Sequence, residues 1–385
     1  MNNTYQDKLR TVKNHISNND LSLGFRLLVD CVLDLKEINF YKAIISLTEW
    51  REGSNYNESE YVDRLLQLVQ ELSLVQLKES NKNTCLLATK ELSKRYGGNR
   101  FQLGPIDLEI HTGEVWGLVG ENGNGKTTLL RMLAKDLKTE AGSLEFPFYT
   151  EGGTLYDLRT QLTYIPQRTP KWFGSLKSNL KFAANHYGIK GEENELLVLM
   201  MIIRFGLWPY RNHQWSELSS GYKMRFELAR TFLRAPKILL LDEPLANLDV
   251  LAQQLILEDL KSLSKSISNP IGIILSSQQL FEVEKIADKV LFLRNGVPTF
   301  LNELDGLEHS EKTVIEFDCA ASREEIQKAF ATLKMVELHF NGGIYIVTFE
   351  GGNLTHKVMQ AFIDHQIDVK YLRDISKSTR RLFLK

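Results

Sequence analysis

The sequence predicts an α/β fold flanked by an all-α N-terminal region and a small α+β C-terminal region. Three observations lead there. First, the apolar, strand-like run Glu114–Val119 leads into Gly120-Glu121-Asn122-Gly123-Asn124-Gly125-Lys126-Thr127-Thr128, and a helix-like run over Thr127–Leu137 follows. Second, the apolar runs Lys237–Leu241 and Ile271–Ser277 have the make-up of parallel strands covered on both faces. Third, the hydrophobic period changes twice: it is helical before residue 80, β-rich from residue 84, and strand-helix alternating from Lys312.

The first 80 residues carry four apolar stripes at helical spacing. They are Tyr5, Leu9, Val12 and Ile16; Leu27 to Leu35; Phe40 to Trp50; and Val62 to Val75. Thr4 is placed to cap the first helix, and Asn57 with Glu60 to form a capping box on the fourth. Short connections predict a small antiparallel bundle. Glu79–Thr84 is a polar linker, and the nucleotide-binding region begins after it.

Gly120–Thr128 fits G-x-x-x-x-G-K-T, a phosphate-binding loop. A chance match in a chain of this length is on the order of one in a hundred. Glycine lets the loop turn tightly, so that successive N–H groups point at phosphate oxygens. The helix that starts there favours an anion through its free N–H groups and dipole. Lys126 would neutralise the terminal phosphates and the Thr127 hydroxyl would ligate Mg²⁺. Tyr96, in the turn-like stretch Lys94 to Gly98, either stacks on adenine or simply ends a strand.

Downstream, Gln161–Gln167 reads as a short strand, and Ser175–His186 and Leu196–Phe205 as an inserted helical region. Leu218, Ser219, Ser220 and Gly221 stand at the start of a helix over Tyr222–Leu233, suited to an anion or to a plain serine cap. The strand Lys237–Leu241 ends in Asp242 and Glu243. Two acids at the end of a buried strand are costly unless paired, hydrated or given a cation. Asp242 would hold Mg²⁺ through water, and Glu243 would polarise an attacking water. Asn295-Gly296 and Asn341-Gly342-Gly343 read as hairpin turns. From Lys312 the order strand-helix-strand-strand-helix-strand is ferredoxin-like.

Composition narrows the function. The net charge of -1 gives no reason to expect a nucleic-acid partner, and the basic cluster Lys377–Arg381 reads as a solvated face. Three widely spaced cysteines argue against a disulfide framework. The longest apolar run, Leu196–Ile203, is far short of the roughly twenty residues that span a bilayer. A soluble, cytoplasmic chain is expected, and any membrane role needs a separate spanning protein.

Together these residues resemble the ATP-binding cassette family over about residues 84–304. Gly120–Thr128 looks like its Walker A loop, and Gln167 its Q-loop glutamine. Leu218-Ser219-Ser220-Gly221 resembles its signature, and Ile238–Leu241 with Asp242 and Glu243 its Walker B strand and catalytic glutamate. Ala246-Asn247-Leu248-Asp249 resembles its D-loop. The resemblance implies a P-loop NTPase cassette with a helical subdomain at about 168–235, an all-α domain at 1–80 before it and an α+β domain at 311–385 after it. It implies ATP contacts by Tyr96, Gly120, Asn122, Gly123, Asn124, Gly125, Lys126, Thr127 and Thr128. Mg²⁺ would be held by Thr127, Gln167 and Asp242, and catalysis would rest on Glu243, Lys126, Gln167 and Gln278.

The resemblance further implies that two cassettes sandwich ATP head to tail. Ser219, Ser220, Gly221 and Asp249 would then serve the partner's nucleotide. The implied function is the ATPase subunit of a transporter, working with a second cassette and an integral-membrane permease at the inner face of a membrane. Two other roles share these motifs: a non-transport ATPase acting on a macromolecular complex, and an ATP-gated interaction module with weak hydrolysis. The signature reads Leu-Ser-Ser-Gly-Tyr where the family has Leu-Ser-Gly-Gly-Gln, with tolerance expected at Ser220 and Tyr222. Gln278 stands where the family has its switch histidine. A glutamine donates a hydrogen bond but cannot become a cation, so slow turnover is expected.

Overall fold

The computed structural model describes residues 4–54, 56–77, 83–97, 101–149, 153–300, 312–341, 343–352 and 354–376. They form two compact units, residues 1–279 with 285–298 and residues 280–284 with 299–385. The linker residues 79–82, Gly342 and the basic cluster Lys377–Arg381 lie outside the described residues.

The first unit begins with four helices, α1 (Tyr5–Ser17), α2 (Leu21–Leu35), α3 (Ile38–Glu52) and α4 (Glu58–Ser73). Thr4 and Asp7 form a reciprocal capping box on α1. On α4 the expected box is only half made. Asn57 accepts from the Glu60 N–H, but the Glu60 carboxylate takes the guanidinium of Arg64 one turn on. The apolar stripes point inward, with Leu9, Val12, Leu28, Val32, Ile44, Leu65 and Leu72 buried. The bundle is not self-contained: α2 and α3 also pack on the helix Gly191–Arg204 of the inserted helical region.

Next come β1 (Cys85–Tyr96), β2 (Phe101–His111), β3 (Val115–Val119), α5 (Lys126–Leu133), β4 (Ala141–Glu145), α6 (Leu155–Gln161) and β5 (Leu162–Ile165). The helical region holds α7 (Leu176–His186), α8 (Gly191–Arg204) and α9 (Ser220–Phe232). Then follow β6 (Ile238–Leu241), α10 (Val250–Ser264), β7 (Gly272–Ser277), α11 (Leu280–Val283), β8 (Lys289–Arg294) and β9 (Val297–Phe300), of which α11 and the last two residues of β9 fall in the second unit. Six strands line up as β5-β6-β7-β3-β8-β9, and the pairings among the first five are parallel. Every residue of β3, β6 and β7 is buried, which is why these runs read as continuously apolar. A separate antiparallel sheet runs β2-β1-β4.

Three boundaries differ from expectation. Tyr96 ends a strand rather than sitting in a turn, because Lys94, Arg95 and Tyr96 pair with Leu103, Gln102 and Phe101. The helix after the loop stops at Leu133 rather than Leu137. Lys135 adopts φ +54°, and the N–H groups of Asp136 and Leu137 fold back onto the Arg131 carbonyl. The helix α9 starts at Ser220, two residues earlier than expected, because Ser219 itself is the N-cap.

The second unit carries β10 (Lys312–Cys319), α12 (Arg323–Ala329), β11 (Met335–Asn341), β12 (Ile344–Glu350), α13 (Thr355–Asp364) and β13 (Val369–Asp374). Its antiparallel sheet is ordered β11-β12-β10-β13. Phe317, Phe330, Phe349 and Phe362 form the centre of its core. Among the described residues, no helix of the chain is long and apolar enough to cross a membrane.

Candidate functional site

Parallel β-strands deliver their loops to one edge, and the phosphate loop leaves β3 there between β7 and β8. Gly125, the N-cap of α5, has φ +101°, and a Cβ there would come within 2.9 Å of Leu103. Only glycine meets both demands. No side chain caps α5, so its first N–H groups stay available to an anion. Asn124 is buried and its side-chain oxygen accepts from the Asn295 N–H, which ties the loop to the β8–β9 turn. Asn122 and Gly123 are exposed, and a Cβ on Gly123 would meet nothing within 4 Å.

Lys126 is only 5 % exposed. Its ammonium donates to the carbonyls of Gly120 (2.7 Å) and Glu121 (3.1 Å) and lies 3.4 Å from a Glu243 carboxylate oxygen. Thr127 donates to Asp242 at 2.8 Å. Asp242, at the end of β6, is buried and also accepts from Ser276 (2.9 Å) and Tyr164 (3.2 Å). Burial, and then the Asp242 charge, pushes the Tyr164 phenol well above its ordinary value, so it remains a donor.

Glu243 has the backbone φ of +45°, unusual for a side-chain-bearing residue. Its N–H donates to the Ser276 hydroxyl at 2.8 Å, and that same hydroxyl donates to Asp242. One serine thus orients both acids. The Glu243 carboxylate accepts from Gln167 Nε2 (2.8 Å) and from Gln278 Nε2 (3.1 and 3.0 Å). Lys126, Gln167 and Gln278 therefore meet on one carboxylate.

Tyr96 is 40 % exposed, with its ring centroid 6.5 Å from that of Phe101. Thr128 follows in the first turn of α5. The signature residues form a second group. Ser219 caps α9 by accepting from the Tyr222 N–H, and Ser220 donates to the Asn247 carbonyl at 3.0 Å. Asp249 caps α10 by accepting from the Ala252 N–H. A Cβ on Gly221 would lie 3.2 Å from the Ala252 methyl, so α9 and α10 start in close contact. The side-chain hydrogen bonds of Ser219, Ser220 and Asp249 stay within this group.

Tyr164 and Ser276 were not singled out from the sequence. The signal for Ser276 was available, since a hydroxyl ending an otherwise apolar buried strand needs a partner. Tyr164 carried no comparable signal.

Residues 103–246 match the family described as ABC transporter. The ABC transporter ATP-binding protein NatA of Bacillus subtilis is 30 % identical over 217 residues, covering 54 % of this chain and 84 % of NatA. The chain belongs to the ABC transporter ATP-binding family. The methionine import ATP-binding protein MetN 2 of Listeria monocytogenes serotype 4b is 32 % identical over 217 residues, covering 55 % of this chain and 63 % of that protein. A solved ATP-binding subunit of an ABC transporter aligns at 27 % identity with a TM-score of 0.50, over 58 % of this chain and 93 % of that one. The ABC family implies ATP with Mg²⁺, and the donor set fits both. Mg²⁺ favours one or two carboxylates, hydroxyls and phosphate oxygens over an all-protein cage. Thr127 and Asp242 supply such oxygens side by side. Among the described residues no cluster of three or more His, Cys, Asp or Glu side chains offers a metal cage.

Proposed function

We propose that this chain hydrolyses Mg·ATP at the Gly120–Thr128 loop, with Glu243 as general base, and drives a separate membrane permease. The convergence of Lys126, Gln167 and Gln278 on the Glu243 carboxylate carries this reading. Mg·ATP, when bound, supplies the phosphoryl group and a divalent charge across its oxygens. Lys126 then gives its ammonium to the terminal phosphates, with the α5 N–H groups and the loop backbone holding the rest. Thr127, Asp242 and the Gln167 side-chain oxygen would hold the cation, which would neutralise charge on the phosphates. Glu243 takes a hydrogen bond from the attacking water and draws off its proton. Tyr96 stacks on adenine.

Ser219, Ser220, Gly221 and Asp249 act on the nucleotide of a second cassette. The apolar residues Val250 and Leu251, directly after Asp249, are about three-quarters exposed and support such an interface. Phe173 and Phe182, on the stretch after Gln167, are also well exposed and support docking of a permease. The working position is the inner face of a membrane. The determinants of the cargo lie largely in the permease.

Steady-state phosphate release tests the reading. Wild-type protein turns over ATP, and Glu243→Gln lowers the rate by about 10²-fold or more while nucleotide still binds. Turnover unchanged by Glu243→Gln rejects the assignment. Gln278 motivates the second reading, an ATP-gated interaction module, which predicts nucleotide binding with almost no phosphate release in the wild type.

A further inference from the structure

The N-terminal helices meet the cassette through a buried charge network centred on Arg204, the last residue of α8. Arg204 is 2 % exposed. Its guanidinium holds Asp30 of α2 on one side and Asp259 of α10, at 2.6 Å, on the other. Arg26 of α2 adds a bond to Glu258 at 2.7 Å and a longer one to Asp259. Asp30 also accepts from Ser262 of α10. One turn along α2, the buried Asp34 accepts from Ser266, from Ser268 and from the Ile267 N–H. Three helices from different parts of the chain therefore converge on one guanidinium.

This junction lies at the far ends of the elements that present the signature. Immediately after Arg204, the Phe205 carbonyl accepts from Arg225 of α9, and the Phe205 ring packs on Phe232 of α9. The start of α9 carries Ser219 and Gly221, and the start of α10 carries Asp249. At that near end the two helices are joined by the Ser220–Asn247 bond and the Gly221–Ala252 contact. At the far end they are joined through Arg204 and Asp259. One contact leaves a helix free to pivot, whereas two contacts at opposite ends fix its direction. An open cavity of ≈ 350 Å³ lies beside this seam, against Leu33, Tyr41, Met201, Arg204 and Phe205. The packing of α2 and α3 on α8 brings the helices together, and the ion pairs add direction to that contact.

We infer that Arg204 is a positioning residue for ATP hydrolysis: through Asp30 and Asp259 it lets the N-terminal bundle set where the signature of one cassette meets the nucleotide of the other. The inference rests on the proposed two-cassette mechanism. A forked guanidinium suits this task because it engages two carboxylates in fixed directions, which a lysine ammonium cannot do. Displacing the signature from the phosphate by about an ångström is enough to lower turnover by one to two orders of magnitude. Binding of ATP to a single chain, which uses Lys126 and the α5 N-terminus, does not depend on it.

The test separates positioning from folding. Arg204→Met alone leaves Asp30 and Asp259 buried without a partner, so the informative variant is Arg204→Met with Asp30→Asn and Asp259→Asn, which removes the charges together. Arg204→Lys serves as the second variant. For each full-length protein, ATP-binding stoichiometry counts folded chains, and kcat and KM are measured per binding-competent chain. In a Glu243→Gln background, ATP-dependent dimerisation is followed by light scattering. The expected result is full stoichiometry, a KM within about twofold, a kcat lowered at least about tenfold, and a weaker ATP-dependent dimer. Arg204→Lys keeps the charge without the fork and is expected to show the same loss to a smaller degree. A kcat per competent chain within twofold of wild type in both variants overturns the inference alone. A wild-type protein that neither dimerises with ATP nor hydrolyses it overturns the two-cassette mechanism, and the inference with it.

Discussion

Two charge clusters of the first compact unit, one around Glu243 and one around Arg204, differ in what balances the acids. Around Glu243 the balancing groups are one lysine at 3.4 Å and the neutral amides of Gln167 and Gln278, both of them exposed residues. Around Arg204 the carboxylates of Asp30 and Asp259 meet its guanidinium, Asp30 is further held by Ser262, and the neighbouring Asp34 meets Lys8 and the Ser266 and Ser268 hydroxyls. Neutral, solvent-facing donors are easily exchanged for others, whereas breaking one side of a buried ion pair strands a charge. The first cluster is made to change partners during a reaction and the second to keep them.

The contrast is broken most severely by Lys126→Ala. The variant loses a cation that reaches both the loop carbonyls and Glu243. Charge-assisted bonds contribute about 1.5–3 kcal/mol each, so nucleotide affinity is expected to fall by about 10²-fold, read by equilibrium binding of a fluorescent ATP analogue. The fold should survive, because the acids left behind have the amide and hydroxyl donors of Gln167, Gln278, Ser276 and Tyr164. Retained tight binding would undercut the loop assignment.

Asp34→Ala probes the other cluster, and the expected outcome is reversed. Asp34 is 5 % exposed and accepts from Ser266, Ser268, the Ile267 N–H and Lys8. Removing it leaves several donors without a partner, at a cost of about 2–3 kcal/mol in unfolding free energy. Chemical denaturation should show this as a lower midpoint, while ATP affinity of the folded protein stays within about twofold. A large loss of ATP affinity without a stability change would show that the two clusters are not separable in this way.

The same contrast explains what could be read in advance. The loop, Asp242 and Glu243 were legible because phosphate and cation chemistry demand particular residue types a few positions apart, and the Lys126–Gly120 bond spans six residues. The strands β3, β6 and β7 were legible because both faces are covered and the runs are continuously apolar. The Arg204–Asp30 pair spans 174 residues, and nothing local marks either partner. An arginine closing the apolar run Leu196–Ile203 reads as a polar stop. Only the packing of α2 and α3 on α8 turns it into a buried cation. At Tyr96, pairing with Phe101 carries the strand through to that residue, and the turn expected in this stretch is seen at Gly97, whose φ is +60°.

Within the nucleotide site, Tyr96→Ala separates base recognition from phosphate recognition. Stacking on an aromatic ring contributes about 1–3 kcal/mol per base, so ATP affinity should fall roughly tenfold. Affinity for inorganic tripolyphosphate, competed against the same probe, should not change. Equal losses for both ligands would place Tyr96 in the support of the loop rather than under the base.

The smallest expected effect is the most diagnostic for turnover. Gln278 Nε2 donates to both oxygens of Glu243, so it orients the base without adding charge. Histidine at this position would sit beside the same carboxylate, which raises its pKa from the usual value near about 6.5 and favours the imidazolium. Gln278→His is therefore expected to raise kcat severalfold, because a charge-assisted donor is roughly twice as strong as a neutral one. The sign of the pH dependence follows from the group introduced. The gain should be full below the histidine pKa and fade as pH rises through it, whereas the wild-type glutamine has nothing to titrate there. A kcat that does not change at any pH would assign the slow step to dimer assembly or opening, and the Arg204 seam would then become the first place to look for control of the rate.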